Sequence, residues 1–222
     1  MELETIAGPQ MVADGQHSKA RGGSYGELVT NVSNGHFFEQ VMRGNGYAFS
    51  TALAGNALIA PGTANAPAIW NPPNSGRLLS IIKVTYSRVA VGTPLEGGFI
   101  YTRLKDVHSR KGTAADLVSG TAVAALNLRS DLGDDSKMVF FPTTIVTTST
   151  PDIWAYAGVG QTADDGATTV SGPRAEQLTD HINGMLVVAP GTLFSIAAGV
   201  SFNTTYDITI YALSLPMPLI AR

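Results

Sequence analysis

Residues 192–202 read TLFSIAAGVSF and residues 205–215 read TYDITIYALSL, and these two stretches decide the fold. In the first stretch and in the first half of the second, every second residue is apolar and the residues between are mostly small or polar. An alternation with a period of two indicates β-strands that bury one face. The sequence therefore predicts a hydrophobic core lined by Phe194, Ile196, Ala198 and Val200 beside Ile208 and Ile210.

Short turns border these two strands. Pro190-Gly191 precedes the first strand, and Asn203-Thr204 separates the first strand from the second. Strands joined by short turns commonly pair as antiparallel neighbours. We therefore expect the segments Met185–Ala189, Thr192–Phe202 and Thr205–Leu215 to lie side by side in one sheet.

A third long strand is predicted over Arg77–Val91. One face of this strand is expected to carry Leu78, Ile82, Val84 and Tyr86, and the other Lys83, Thr85 and Ser87. Further candidate strands are Gly98–Arg103, Val123–Arg129, Met138–Val146, Ile153–Val159 and Thr168–Gly172. The separators are good turn formers: Pro72-Pro73-Asn74-Ser75-Gly76, Asp164-Asp165-Gly166 and Asn183-Gly184.

These strands predict an all-β protein, because no amphipathic stretch between them is long enough to form the helices of a parallel sheet. The chain of 222 residues has the length of a single large β domain. The predicted architecture is an antiparallel β-sandwich of jelly-roll type, formed by residues 47–222. Residues 1–46 are interrupted by many glycines and are expected to form an extended N-terminal arm. Within the arm, one helical turn is predicted at His36–Arg43.

The composition excludes several classes of protein. A net charge of −3 and 14% charged residues are not the basic footprint of a nucleic-acid binder. The absence of cysteine excludes a disulfide scaffold and a thiolate metal site. No apolar run reaches the length of a membrane span, and the acidic N-terminus is unlike a secretory signal. We therefore expect no contact with membrane or nucleic acid.

No motif predicts catalysis, a cofactor or a metal ion. The histidines are scattered at His17, His36, His108 and His181, whereas a metal-binding jelly roll would need two of them close along a strand. The two acidic stretches, Asp131–Asp135 and Asp164–Gly166, are interpreted as loop turns, with an ion site as the alternative. Trp70 and Trp154 are interpreted as buried residues, with a sugar-stacking platform as the alternative. The sequence thus predicts a protein that is not an enzyme.

Three segments carry a family resemblance. These are GELVTNVSNGHFFEQVMRGN at Gly26–Asn45, AIWNPPNSGRLLSIIKV at Ala68–Val84, and the strand–turn–strand run of Gly184–Pro218. Together they resemble virion structural proteins of tailed bacteriophages. More loosely, the chain is similar to the jelly-roll cement or decoration proteins that sit on phage capsids as trimers.

The resemblance implies assembly and no chemistry. It implies a homo-oligomer, most simply a trimer, that is made in the bacterial cytoplasm and binds the major capsid protein or other virion proteins. The apolar residues expected at the interfaces are Phe37, Phe38, Val41 and Met42 in the arm, with Tyr211, Leu213 and Leu215 on the outer face of the last strand. The alternatives are a tail or head-fibre component, a carbohydrate-binding jelly roll for host attachment, and a cupin-like or glycan-cleaving enzyme.

Overall fold

The computed structural model describes residues 37–51, 56–65, 67–90, 98–107, 117–157, 177–199 and 205–217. This part of the chain holds one helix, α1 (Phe38–Met42), and fourteen strands. The strands are β1 (Gly46–Ser50), β2 (Asn56–Ala57), β3 (Ala64–Asn65), β4 (Ala68–Asn71), β5 (Arg77–Ala90), β6 (Phe99–Leu104), β7 (Leu117–Ser119), β8 (Leu126–Asn127), β9 (Val139–Phe141), β10 (Ile145–Thr147), β11 (Asp152–Tyr156), β12 (Gln177–Val188), β13 (Thr192–Ala198) and β14 (Thr205–Pro216).

Two antiparallel sheets form a sandwich. The first sheet has the strand order β12-β5-β14-β1-β8, with β2 also paired to β14. The second has the order β11-β6-β13-β4-β9, and a small third sheet has the order β3-β10-β7. Buried residues of the first two sheets share one core cluster, so the two sheets pack face to face. The predicted all-β antiparallel sandwich is confirmed.

The strand pairs of the sandwich are nested in the sequence. β1 pairs with β14, β4 with β13, β5 with β12, and β6 with β11. The first and last of these strands are therefore neighbours, and the innermost pair is the closest in sequence. Apart from the step from β6 to β11, each of these eight strands is followed by one in the opposite sheet.

The expected neighbourhood of the last three strands is wrong. β12 and β14 both pair with β5, whereas β13 lies in the other sheet between β6 and β4. The turn at Pro190-Gly191 is present, with Gly191 at a φ of 77°. It carries the chain from one sheet to the other instead of closing a hairpin. A short turn permits either connection, and here each sheet can only bury its apolar face by facing the other.

The core residues predicted for the two deciding stretches are confirmed where the structure describes them. Phe194, Ile196 and Ala198 of β13 and Ile208 and Ile210 of β14 are fully buried in one cluster. Because β13 and β14 lie in opposite sheets, these residues meet across the sandwich. Val200, the remaining member of the predicted set, lies outside the described residues.

The predicted face of the long strand β5 is half wrong. Val84 and Tyr86 face the core as expected, but Leu79 and Ile81 replace Leu78 and Ile82 in the core cluster. The register against β14 shifts at this point, since Tyr211 pairs with Lys83 and Ala212 with Ile81. One extra residue in a strand moves the following side chains to the other face, so a continuous alternation fails at a bulge.

Three further strand predictions need correction. Asn183-Gly184 is not a turn between strands but a bulge inside β12, with φ angles of 53° and 83°. The predicted strand Met185–Ala189 is therefore only the end of β12. Met138–Val146 divides into β9 and β10, which belong to different sheets. Proline at position 142 has no N–H for a ladder and coincides with the break. The candidate Thr168–Gly172 and residues 1–36 of the predicted arm lie outside the described residues.

Truncating Ile208 to alanine should lower the free energy of unfolding by about 2–5 kcal/mol, because its fully buried side chain would leave a cavity between the sheets. Urea denaturation followed by tryptophan fluorescence measures this change. Ile153→Ala is the matched control, since that isoleucine is 50% exposed and its loss should cost less than about 1 kcal/mol. Equal losses in the two variants would contradict the assigned core.

Candidate functional site

The residues considered for metal or sugar binding do not form a common site. Of the four histidines, only His181 lies in the described part of the chain, where it is exposed on β12. Trp70 is buried, and its Nε1 donates a hydrogen bond to the carbonyl oxygen of Val107 at 3.0 Å. Across the described ranges, no three histidine, aspartate or glutamate side chains come close enough together to hold a metal ion.

The acidic stretch after β8 is held together by its own neighbours. Arg129 Nε donates to Asp131 Oδ1 at 2.8 Å, and Lys137 forms an ion pair with Asp135. These side-chain hydrogen bonds hold the pKa of both carboxyls below the usual range. The backbone N–H of Asn127 donates to Asp134 Oδ1 at 2.7 Å. This arrangement favours the interpretation as a loop turn. The stretch Asp164–Gly166 lies outside the described residues.

The residues expected at interfaces are exposed to different degrees. Phe38 and Met42 on α1 are 45% and 38% exposed, whereas the neighbouring Phe37 and Val41 are half-buried. On the outer face of β14, Leu213 is only 6% exposed and Leu215 is half-buried.

The remaining member of this set, Tyr211, is also half-buried. The ammonium of Lys83 lies 4.4 Å from the centre of its ring. The outer face of β14 is therefore partly covered within this chain.

Apolar side chains from α1 and from the segment around β8 lie side by side. The Cβ that a larger residue would place at Gly46 would lie 2.9 Å from Val41 Cγ2 and 3.2 Å from Leu128 Cδ1. Gly46 is the cross-strand partner of Leu213, so these two side chains lie over the outer face of the sheet beside Leu213. Arg129 also donates a hydrogen bond to the carbonyl oxygen of Met42.

Exposed apolar side chains from α1 and from the segment around β8 lie in this region, at the β8 edge of the first sheet. We call it the apolar patch, and its exposed members are Met42, Leu126, Leu128 and Leu132. They are 38%, 59%, 40% and 39% exposed, respectively. Groups of exposed apolar side chains are typical of protein–protein contacts.

A pocket of about 240 Å³ lies at the opposite edge of the sandwich. We call it the edge pocket. Its polar lining consists of Arg103 from β6, Lys105 and Asp106 after that strand, and Thr192 at the start of β13. Trp154 of β11 forms an aromatic wall, and the apolar remainder comes from Val187, Ala189 and Pro190 around the β12–β13 turn.

The aromatic wall of the edge pocket is fixed by its neighbours. The ring centre of Trp154 lies 6.2 Å from that of Phe194, with the two rings nearly perpendicular. The guanidinium carbon of Arg103 lies 5.5 Å from the centre of the Trp154 ring. The Nε atom of Arg103 is buried and has no hydrogen-bond partner among the described residues. A buried donor without a partner is uncommon in folded proteins.

Two buried phenols and one carboxylate form a chain of hydrogen bonds between the sheets. Tyr86 donates to the hydroxyl of Tyr101 at 3.2 Å, and Tyr101 donates to Asp180 Oδ2 at 2.8 Å. Tyr86 also stacks on Phe99, with ring centres 4.2 Å apart. Burial raises the pKa of both tyrosines far above the ordinary value of 10.0. Both phenols therefore remain protonated donors, as a structural link requires.

Sequence reasoning found one wall of the edge pocket and missed the rest. The sequence makes Trp154 a candidate sugar-stacking platform, but nothing in the sequence places Arg103, Lys105 and Asp106 beside it. Asp106 has a φ of 58°, a conformation that aspartate adopts more readily than most residues. The dipeptide Lys105-Asp106 after a strand was the available signal, although it is equally typical of any exposed loop.

No family model matches the chain, and neither a curated protein nor a solved structure was found to be similar to it. Within the described ranges, no helix is long and apolar enough to cross a membrane.

The tyrosine chain predicts a loss of stability in alkali. The folded-state pKa of Tyr86 and Tyr101 lies above the unfolded-state value of about 10. Their stabilisation is therefore complete below about pH 10 and is lost as the pH rises toward the folded-state pKa. We expect the free energy of unfolding to fall there by up to about 1.4 kcal/mol per pH unit for each tyrosine.

Urea denaturation at about pH 8 and about pH 11 measures this loss. Tyr86→Phe should show a smaller loss between the two conditions than the wild type. Tyr156→Phe, at a side chain that is 73% exposed, is the control variant. An identical loss in Tyr86→Phe and the wild type would contradict the assignment.

Proposed function

We propose that this chain is a non-enzymatic structural protein of a phage particle, a cement or decoration protein that forms a homotrimer and binds neighbouring capsid subunits. The observation that carries the proposal is the apolar patch at the β8 edge. It adds to the resemblance of residues 26–45, 68–84 and 184–218 to virion structural proteins.

The nested strand pairs support a jelly roll as the architecture of this protein. β1 pairs with β14, β4 with β13, β5 with β12 and β6 with β11. This is the pairing of one long hairpin whose strands are divided between the two sheets. Double-sheet jelly rolls of eight strands are found in viral capsid proteins and lectins. The architecture thus agrees with a virion protein without requiring one.

The position of the apolar patch supports an assembly role. It lies where the first sheet ends in β8, a strand of only two residues. Short edge strands limit uncontrolled pairing of sheets, so a partner would contact side chains here and not extend the ladder. The patch also includes Met42 of α1, the helix that precedes β1 in the chain. The proposal assigns a second copy of this chain to the apolar patch. It assigns a capsid subunit to the N-terminal segment.

The low charge supports close packing between subunits. Only 14% of the residues are Asp, Glu, Lys or Arg. Buried charges at an interface must be paired or they incur a desolvation penalty, and the cores of interfaces are depleted of them. A chain with few charged residues has few of them to bury at an interface.

Replacing Leu126 and Leu128 by serine should convert the trimer into monomers, because both side chains are exposed members of the apolar patch. Sedimentation velocity measures the oligomeric state. Met185→Ser with Val187→Ser is the matched control on β12, where both side chains are also exposed but lie outside the patch. A monomeric wild type, or an unchanged trimer in the Leu126/Leu128 variant, would overturn the proposed interface.

Deleting residues 1–36 should abolish binding to particles and leave the sandwich folded. The deletion stops at residue 36 because α1 and Asn45 belong to the described structure, where Asn45 accepts a backbone hydrogen bond from Ser214 at 2.8 Å. Immunogold electron microscopy of particles should show the full-length chain on the capsid shell and no label for the truncated chain. Circular dichroism checks that the truncated sandwich retains its fold.

The position of the gold label separates the alternatives. Label on tails or at projecting fibres would replace the capsid assignment with a tail or head-fibre role. Undiminished labelling by the truncated chain would show that the N-terminal segment is not the attachment site.

A further inference from the structure

We propose that the edge pocket binds a single sugar ring that carries a carboxylate, such as a uronic acid residue. This inference goes beyond the assembly role and does not depend on the oligomeric state, because every lining residue belongs to one chain.

The first argument is the aromatic wall. Trp154 sits at a register shift in β11, where Ile153 pairs with Thr102 and Ala155 with Tyr101. The extra residue at the bulge leaves Trp154 half-buried, packed on Phe194 and still lining the pocket. An aromatic ring held in this way offers a rigid apolar surface for the C–H groups of a pyranose ring, at little cost in side-chain entropy.

The second argument is the set of polar groups around that wall. Arg103 and Lys105 bring two positive charges to the pocket, and Asp106 brings one negative charge. The net positive charge favours an anion, and a guanidinium forms strong charge-assisted hydrogen bonds with a carboxylate. Arg103 lines the pocket, so its guanidinium is placed to form such a bond.

The third argument distinguishes a sugar acid from a simple anion. The carboxylate of Asp106 can accept hydrogen bonds from sugar hydroxyls, which a simple anion such as acetate lacks. The hydroxyl of Thr192 can donate or accept on the same ligand. Asp152, the cross-strand neighbour of Arg103, is not among the lining residues. A ring with an apolar face, hydroxyl groups and one carboxylate matches all these features.

The size of the edge pocket limits the ligand. Its volume of about 240 Å³ is below the range of about 300–1,000 Å³ that is typical for drug-sized ligands. One sugar ring therefore fits, and the remainder of a glycan would extend into solvent.

The test is a titration of the full-length chain with glucuronate, glucose and acetate, followed by nuclear magnetic resonance. We expect saturable binding of glucuronate, at least about tenfold tighter than that of glucose or acetate, because only glucuronate uses both the ring surface and the cations. The indole N–H resonance of Trp154 should shift on binding. The resonance of Trp70 should not, since its N–H is buried and bonded to Val107.

Variants assign the site. Lys105→Gln should weaken glucuronate binding several-fold, and Lys83→Gln, which removes the same charge from another surface, should leave it unchanged. Trp154→Ala should weaken binding of the sugar acid at least about tenfold. If this variant does not fold, Trp154→Phe retains the packing with a smaller ring and should weaken binding to a lesser degree.

Three results would overturn the inference. These are the absence of saturable glucuronate binding, acetate binding as tight as glucuronate binding, and unchanged affinity in both the Lys105 and the Trp154 variants. Tight acetate binding would identify the site as one for an adventitious anion only. None of these results bears on the oligomeric state, so the assembly proposal would stand or fall separately.

Discussion

The antiparallel pairing of β14 with strands on both sides is the constraint on which the rest of the structure depends. β14 pairs with β5 along one edge and with β1 along the other, although β1 lies about 160 residues earlier in the chain. Its inward residues Ile208 and Ile210 are fully buried against residues of the opposite sheet. The β1–β14 pairing brings the two ends of the described chain together, and the pairs β4–β13, β5–β12 and β6–β11 are nested between them in the sequence. Long-range pairing of this kind carries a large entropic cost of loop closure, which the buried core offsets.

The bulges determine which side chains face the core and which face outward. In β5 the register shift beside Tyr211 exchanges the residues that enter the core, and in β11 the extra residue is Trp154 itself. In β12 the bulge at Asn183-Gly184 interrupts the edge of the first sheet. Bulges are common at sheet edges and near functional sites because they redirect side chains. Here the β11 bulge places Trp154 in the lining of the edge pocket.

The two surfaces to which we assign functions lie at opposite edges. In the first sheet, β8 and β12 are separated by four inter-strand spacings, or about 19 Å. The apolar patch lies at the β8 edge and the edge pocket between β11 and β12. A subunit contact confined to the patch would leave the pocket open. The two proposed roles can therefore be combined in one chain.

The sequence alone determined the class of fold and much of the core. The alternation in residues 192–202 and 205–215 reports burial of one face, which is a local property of each strand, and Phe194, Ile196, Ile208 and Ile210 could be assigned from it. The alternation does not determine which strands pair with one another, because many strands share it. Only the tertiary structure therefore separated β13 from β12 and β14.

The candidate site, too, could be predicted only in part from the sequence. Trp154 could be noticed as a chemically unusual residue, but Arg103, Lys105, Asp106 and Thr192 come from segments that the sequence leaves unrelated. They converge because β6 pairs with both β11 and β13 in the second sheet. The bulges could not be predicted from the sequence either, since one extra residue changes the direction of a side chain without changing the composition of the strand. The local sequence pattern therefore indicates which side chains are buried. The packing of the two sheets decides which strands pair, in which register, and which distant residues meet in the pocket.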